Sequence, residues 1–569
     1  MTRPYLVSSA VLLLLANIAT AQTPRESLPR LPELAPDPAR QVEAPETHEI
    51  KPVVAGEGEQ GFVLNDITIE GNSAVPTDEL RPIWSELIGK EVTVANLADV
   101  ASRIGAAYRA RGYFLSQAVL PAQTVSRGVV RIVVVEGFVD VVSLTGGAAN
   151  QRRVAGNLFE PVLADRPLRQ ETLERSVLLS RDTFGSVYGG SVETVLGPSP
   201  ATFGAANLDV VIVPEPISGY VWADNRGSRL YGDVTLGAGV RTYNLLGLNE
   251  RLDGIMAYAP RNSSLGFVSL TFAAPIEPLY GSFLDGAQME FNINASRGDP
   301  DLTKSGSPED LRALVNQREL TAQLVVPFVR TRSENLFGRL GLGFLENETE
   351  TEFAGSAVVE TDRLAVLEVR TTWDYADRAG GVNLVDVSVR QGLDVGSATV
   401  SADGPAAGKP NFTSVWTQLT RLQSLGTNIS LYGEVVGQYA ANILPNSERF
   451  FLGDSTIGRG FAPGNTSGDS GYGARVELRR YAGPEAFSSA FRAAELYLFG
   501  DYGKAYDRAV ERDGDQWETI GSVGLGARVD IRDGLTITAE IARQTEGVAI
   551  DTTDPDHETR FYFGIVARY

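Results

Sequence analysis

The sequence predicts a transmembrane antiparallel β-barrel of about sixteen strands, carried behind two small α+β modules of order β-α-α-β-β. Three observations predict it. An Ala-x-Ala leader points to export, the segment 61–216 repeats one mixed element order, and from Ile217 onward apolar and polar residues alternate to the end of the chain. Composition sets the bounds. The 569 residues carry 50 basic and 71 acidic side chains, a net charge of −21, with 59 glycines, two histidines and no cysteine. The missing thiols exclude disulfides, thiolate metal sites and cysteine nucleophiles. Two histidines, His48 and His557, cannot build a multi-histidine metal site, so neither a metal nor another cofactor is expected. The acidic balance speaks against nucleic acid as a partner. A mean hydropathy of −0.07 resembles that of a soluble protein, but half of every barrel strand faces a polar lumen, so the average cancels.

Arg3, the apolar run Val11–Leu15 and Ala19-Thr20-Ala21 read as a secretory signal over 1–21, too short to span a bilayer. Residues 22–60 hold Pro24, Pro29, Pro32, Pro36, Pro38, Pro45 and Pro52 among many acidic residues, which forbids a long helix and predicts an extended periplasmic tether. In the first module, 61–137, Phe62–Glu70 reads as a strand and Thr77–Ile88 as a short helix. A second helix starts near Thr93, with Leu97, Val100, Ala101, Ile104, Ala107 and Tyr108 on one face and Gly112 at its end. Strands at Leu115–Val119 and Val129–Val135 close it. The second module, 138–216, repeats the order: strand Val139–Leu144, helices Gln151–Ala164 and Leu168–Leu179, strands Ser186–Leu196 and Leu208–Val213. Short sheets leave edges that can accept an extended peptide through backbone hydrogen bonds.

The barrel is expected over 217–569. In Asp233–Arg241 one face is Val234, Leu236, Ala238 and Val240, and the other is Asp233, Thr235, Gly237, Gly239 and Arg241. Candidate strands fall near 218–225, 231–242, 250–259, 264–275, 281–295, 317–329, 333–347, 362–374, 379–391, 412–423, 427–440, 471–481, 492–503, 518–531, 534–545 and 557–569. Connections starting at Asn244, Arg330, Asp374, Ser424 and Ile531 are short. Those over Ser296–Asn316, Glu346–Thr361, Gly392–Asn411, Ala441–Ser470 and Lys504–Trp517 are long and fall on the opposite parity, as periplasmic turns and outer loops should. The acidic run Glu346–Glu352 is read as a solvated loop face. In the last strand Phe561, Phe563, Ile565, Ala567 and Tyr569 are expected to face lipid, with Arg568 inward.

Several segments together carry a family resemblance. They are Ile69-Glu70-Gly71-Asn72, Tyr108 through Arg111-Gly112-Tyr113, Leu120-Pro121-Ala122-Gln123 and Val135-Glu136-Gly137 in the first module. At the barrel entry, Asp224–Arg229 and Asn244–Leu248 match as well. The most specific match is Ile457-Gly458-Arg459-Gly460-Phe461, in the longest loop, together with Phe499-Gly500-Asp501-Tyr502-Gly503 on the thirteenth strand. From Phe62 to Tyr569 the chain resembles a two-partner-secretion translocator of the haemolysin secretion/activation type, in the superfamily of outer-membrane translocases with polypeptide-transport-associated (POTRA) domains. The resemblance implies that the loop tip Gly458, Arg459, Gly460 and Phe461 folds back into the lumen, with its arginine held by Asp501 of the stretch that includes Phe499 and Gly503. Alternation independently puts Tyr497, Phe499 and Asp501 opposite Leu496 and Leu498. The family usually has a β-branched or small apolar residue where this chain has Gly458, which is expected to loosen the tip. The plug helix found in the family is not carried over, because the prolines of the tether leave no room for it.

The implied location is the outer membrane of a Gram-negative bacterium, with the modules in the periplasm. The implied partners are a large secreted β-helical passenger of adhesin or haemolysin type, outer-membrane lipid and, during biogenesis, the barrel-assembly machinery and periplasmic chaperones. A barrel insertase and a receptor or porin are the rival readings. No enzyme activity is expected: Ser467-Gly468-Asp469-Ser470-Gly471 echoes a serine-protease motif but has no histidine in a catalytic setting, and Gly404–Pro410 falls short of a phosphate loop.

Overall fold

The computed structural model describes residues 61–569 except 185–190, 215–216, 228, 261–264, 277–283, 306, 309–310, 354, 397, 401–407, 484–490, 509–515 and 550–557. The signal and tether expectations over 1–60, both histidines and most of Gly404–Pro410 therefore lie outside the described residues.

The first unit folds around the central strand Val129–Val135, which pairs in parallel with Asp66–Glu70 and antiparallel with Gln117–Val119. Helix Val94–Ala110 covers this sheet, burying Leu97, Val100, Ala101, Ile104 and Tyr108. Its start is fixed by a reciprocal cap between Thr93 and Asn96, and Gly112 ends it at φ +87°. Two expectations need correction. Phe62–Glu70 is two strands, because Phe62–Val63 leaves the sheet to pair with Glu91–Val92. Thr77–Ile88 is a four-residue α-turn, Thr77–Leu80, followed by two 3-10 turns. Pro82 supplies no N–H and crowds the residue before it, so an α-helix cannot run through this point.

The motifs of this unit are its fastenings. The Glu136 carboxylate accepts hydrogen bonds from the Tyr108 hydroxyl (2.8 Å), the Ala74 N–H (2.7 Å) and the Ser73 hydroxyl. It thereby ties the helix end, the turn after Gly71 and the end of the central strand to one point. Burial and the Glu136 carboxylate push the Tyr108 phenol above its ordinary range. Gly71, at φ +82°, lies so close to the Val134 carbonyl that a Cβ would sit 2.3 Å from its oxygen. Gln123 clamps the backbone of Arg131 from both sides, donating to its carbonyl (2.7 Å) and accepting from its N–H (2.8 Å).

The second unit repeats the architecture, with strand Ala205–Val213 central between Phe138–Gly146 and Ser191–Pro198. Helices Ala149–Ala164 and Gln170–Phe184 pack Val154, Leu158, Phe159 and Leu173 against Leu208, Val210 and Ile212. Backbone bonds from Leu168 to the Gly137 carbonyl (2.9 Å) and from Gln170 to the Gly112 carbonyl (2.8 Å) join the two units. The second unit is also tied to the barrel. Arg330 pairs with Asp182 (2.7 Å), Arg332 with Glu174 (3.2 Å), and the Arg175 guanidinium donates to the Pro327 carbonyl (2.9 Å).

The barrel strands are β1 Ile217–Asp224, β2 Thr235–Tyr243, β3 Arg251–Ala259, β4 Leu265–Pro275, β5 Gln288–Gly298, β6 Arg312–Arg330, β7 Glu334–Phe353 and β8 Ser356–Ala376. They continue with β9 Gly381–Leu393, β10 Thr413–Ser424, β11 Ile429–Ala440, β12 Ser470–Ala482, β13 Ala493–Tyr506, β14 Trp517–Arg532, β15 Leu535–Glu546 and β16 Thr559–Arg568. These sixteen strands close into one barrel, each predicted strand being present. Closure joins β16 to β1 from Gly564↔Asp224 to Arg568↔Tyr220, and Tyr569 exchanges backbone bonds with Gly219 (3.0 and 3.1 Å). No helix among the described residues is long and apolar enough to cross a membrane; the strands do so.

Alternation sorts the wall. Leu236, Val240, Leu340, Leu342, Phe344, Leu496 and Leu498 are exposed on the outside, as are Phe561, Phe563 and Tyr569. Inside, glycines make room for rings: a Cβ on Gly237 or Gly239 would strike Trp222 or Tyr220, and one on Gly524 or Gly526 would strike Phe499 or Tyr497.

The expected loop Glu346–Thr361 is instead a continuation of β7 and β8, which turn tightly at Gly355 (φ +79°). Glu346, Glu348, Glu350 and Glu352 alternate with Asn347, Thr349 and Thr351, which are buried toward the interior. The acidic run is thus one face of a strand, and its period of two was the signal. The long outer connections that hold are 299–311, 394–412, 441–469 and 507–516.

Replacing Glu136 by Ala is expected to destabilise the first unit by about 1–3 kcal/mol, since it strands a buried phenol and a backbone N–H. Hydrogen exchange across Val94–Ala110 in the full chain should accelerate, while exchange in the barrel strands stays unchanged.

Candidate functional site

The connection 441–469 folds inward. Its short hairpin, Phe450–Leu452 against Thr466–Gly468, lies against the inner wall. Glycines admit it: a Cβ on Gly471 would strike Phe450, one on Gly473 would strike Ile457 and Leu452, and one on Gly503 would strike Leu452. Phe461 is buried with Phe450, Leu452, Ile457, Ala505 and Ile520 in an apolar cluster inside the barrel. The serine-protease-like stretch pins the hairpin down. Asp469 accepts from the Leu444 and Arg508 N–H groups (2.7 and 2.8 Å), and the Ser470 hydroxyl bonds the Ala440 backbone.

The tip places Arg459 in a cage of carboxylates. Its Nε meets Asp501 Oδ2 of β13 at 3.2 Å, while Nη1 meets Glu477 Oε1 of β12 at 2.8 Å and Glu540 Oε2 of β15 at 3.4 Å. The guanidinium carbon lies 3.4 Å from the centroid of the Phe499 ring, a cation–π contact. The side chains of Arg459, Glu477, Asp501 and Glu540 are each at most 1% exposed. The backbone is held as firmly as the side chain. Gly458 N–H donates to Asp501 Oδ1 (2.7 Å), Gly460 N–H to the Ser522 hydroxyl (3.1 Å), and Gln544 Nε2 donates to the Gly460 carbonyl (2.8 Å).

The structure therefore brings Gly458, Arg459, Gly460, Phe461, Phe499 and Asp501 together, with Gly503 lying under the hairpin rather than at the arginine. Phe561, Phe563, Ile565 and Tyr569 lie elsewhere, on the outer face beside the seam. The looseness expected at Gly458 is not found. Its φ is +82° and a Cβ would stand 2.2 Å from Ile520, so a β-branched residue would not fit this conformation.

Sequence reasoning missed two of the cage's three carboxylates, Glu477 and Glu540. Glu540 is also bonded by the Tyr497 hydroxyl (2.7 Å) and by Arg226 (2.8 Å), a residue of the matched barrel-entry segment. Glu477 also takes Arg479 (2.7 Å). Parity gave a usable signal, because Glu477 lies between Val476 and Leu478, which are exposed on the outside. Parity assigns a face, however, and not the partner reached across the lumen.

Two family models match the chain, and relatives and solved structures resemble it along most of its length. The family model for the POTRA domain, ShlB-type, matches residues 62–137, and that for the haemolysin secretion/activation protein ShlB/FhaC/HecB matches 213–529. Among curated relatives, the heme/hemopexin transporter protein HuxB of Haemophilus influenzae is 24% identical over 85% of this chain and 83% of its own. The outer membrane transporter CdiB of Dickeya dadantii is 21% identical over 78% of each chain. Among solved structures, CdiB from Escherichia coli superposes with a TM-score of 0.69 at 16% identity, covering 93% of both chains. CdiB from Acinetobacter baumannii gives 0.60 at 15% identity, over 92% of this chain and 95% of that one.

Removing one partner of a buried ion pair costs about 3–5 kcal/mol, so Arg459→Ala should release the tip from the wall. The chain has no native cysteine, and a single cysteine placed at buried Ala462 reports this directly. It should resist maleimide in the parent and react in the Arg459→Ala background. Arg459→Lys should react as well, because a point charge cannot reach three carboxylates as the planar fork does.

Proposed function

The chain belongs to the haemolysin secretion/activation family, the two-partner-secretion translocators of the outer membrane with periplasmic POTRA domains, and we propose how its parts divide the work. The passenger is a large secreted β-helical protein of adhesin or haemolysin type, presented unfolded in the periplasm. The sheet edge Ser191–Pro198, which has no ladder partner on its outer side among the described residues, takes the passenger up as an added strand. The chain then threads the polar lumen and folds outside, and that folding supplies the direction of travel.

The observation that carries this reading is the Arg459 cage. It stations a long surface connection inside the conduit, where a soluble outer loop would gain nothing. In the proposal, Arg459, with Asp501, Glu477 and Glu540, positions the loop as a guide along the inner wall. Glycines 458 and 460 let the tip approach it, and Phe461 seats it in the apolar cluster. The outward aromatics Phe561 and Phe563 of β16 and Tyr569 just after it, with Ile565 beside them, serve biogenesis as the strand offered to chaperones and the barrel-assembly machinery. The names of the relatives are those of transporters, one of them of heme and hemopexin, and they favour cargo movement over the insertase or receptor readings.

Arg459→Ala is expected to insert as a heat-modifiable barrel and yet fail to secrete the partner encoded with it. Parental levels of secreted partner from that variant would sink the mechanism. A cysteine at Thr194 should crosslink to a stalled passenger, and one at Ala110, at the end of a helix, should not.

A further inference from the structure

The outer wall carries a groove of about 380 Å³ near the periplasmic rim. Its lining includes two adjacent cross-strand rows on the lipid-facing side. One row runs Arg421, Gly433, Val476 and the next Leu419, Val435, Ala474, across β10, β11 and β12. Leu419, Val435 and Val476 are exposed on the outside, which fixes the face. The depression exists because the small residues Gly433 and Ala474 fall where the rest of the belt projects large apolar side chains. A Cβ on Gly433 would meet nothing within 4 Å.

The two ends of the groove differ chemically. The upper end is apolar. The lower end holds Tyr375, stacked on Trp373 with centroids 4.4 Å apart, and Arg421, whose side chain is 41% exposed. Arg421 is oriented by Asp377 Oδ2 at 2.5 Å and by Asn383 Oδ1 at 2.7 Å. Arg378 in the adjoining turn and Arg480 at the same end of β12 are also exposed. Among the described residues the rim therefore carries three arginines beside two carboxylates, Asp377 and Glu334, the latter accepting from the Trp373 indole N–H at 3.0 Å.

We infer that this groove binds one glycerophospholipid of the periplasmic leaflet. An acyl chain lies over Gly433 and Ala474, and the phosphate sits at the Arg421 end. An arginine already held in place presents its remaining donors to a phosphate with little further ordering. Aromatic residues at this depth suit the headgroup boundary. A free phosphate would lack the apolar half of the site, and a hydrocarbon the charged half.

The test is native mass spectrometry of the full chain released in mild detergent and titrated separately with phosphatidylglycerol, phosphatidylethanolamine, glycerol 3-phosphate and lipid A. The parent should retain one phospholipid after gentle activation. Gly433→Leu, which fills the groove at a position where a Cβ would meet nothing within 4 Å, should retain none. Val476→Trp, filling it from the opposite bank, should do the same should the first variant fail to show heat-modifiable mobility. Arg421→Gln should bind about tenfold more weakly, a loss of ~1.4 kcal/mol. Equal retention by the parent and both groove-filling variants would mean ordinary annular lipid and overturn the site. Binding of glycerol 3-phosphate as tightly as of phospholipid would reduce it to an anion site, and preferential retention of lipid A would place its ligand in the wrong leaflet. Either outcome also overturns the inference.

Discussion

Inside a bilayer no water satisfies a backbone N–H or carbonyl, and everything in this structure follows from that constraint. A chain that crosses as strands must pair every one of them, so the sheet has to close on itself. Closure brings Tyr569, the last residue of the chain, against Gly219 near the start of the barrel. It also leaves an inner surface, lined by alternate residues of every strand, that at sixteen strands is too wide for side chains alone to fill. The lumen is polar by geometry, and whatever charge stands in it must be met by opposite charge.

The Arg459 cage is one solution to that second demand. Three carboxylates on the wall are shared among Arg459, Arg226 and Arg479, so the folded-in loop is part of the wall's own neutralisation. Withdrawing the tip therefore costs more than a lost contact, because it exposes acids that the barrel was built to keep paired. The loop is held at several points of the wall at once, and its attachment is electrostatic and can re-form after disturbance.

How much of this was legible in the sequence depended on the range of the interaction. Strand and helix positions follow from periods of two and 3.6, which are local, and the sixteen strands and the helix beginning after Thr93 were read from them. Arg459 and Asp501 were read through a family likeness, with parity agreeing on the face of Asp501. Glu477 and Glu540 were not, since nothing local distinguishes them from other inward carboxylates such as Glu434. Two of the errors of secondary structure have one cause each. Pro82 broke a helix whose apolar pattern ran on, and the glutamates of β7 looked like loop because their charge masked their alternation. Gly458 was misjudged because a glycine's effect depends on whether the backbone needs a positive φ, which spacing does not reveal.

The tall hairpin of β7 and β8 has a consequence for the membrane itself. On its outer face Phe344 gives way at once to Glu346, which pairs with Arg363, and at the other end Trp373 and Tyr375 mark the opposite boundary. Phe344 lies beside Ala365, so the greasy stretch of β8 runs from Ala365 to Tyr375. That is about 33 Å of extended strand, or ~25 Å of height at the usual tilt of such barrels. The pair of strands thus acts as a gauge, with charge at one mark and stacked rings at the other. It sets the depth at which the wall floats, and through the ion pairs of Arg330 and Arg332 it sets the distance at which the periplasmic units hang below the lipid.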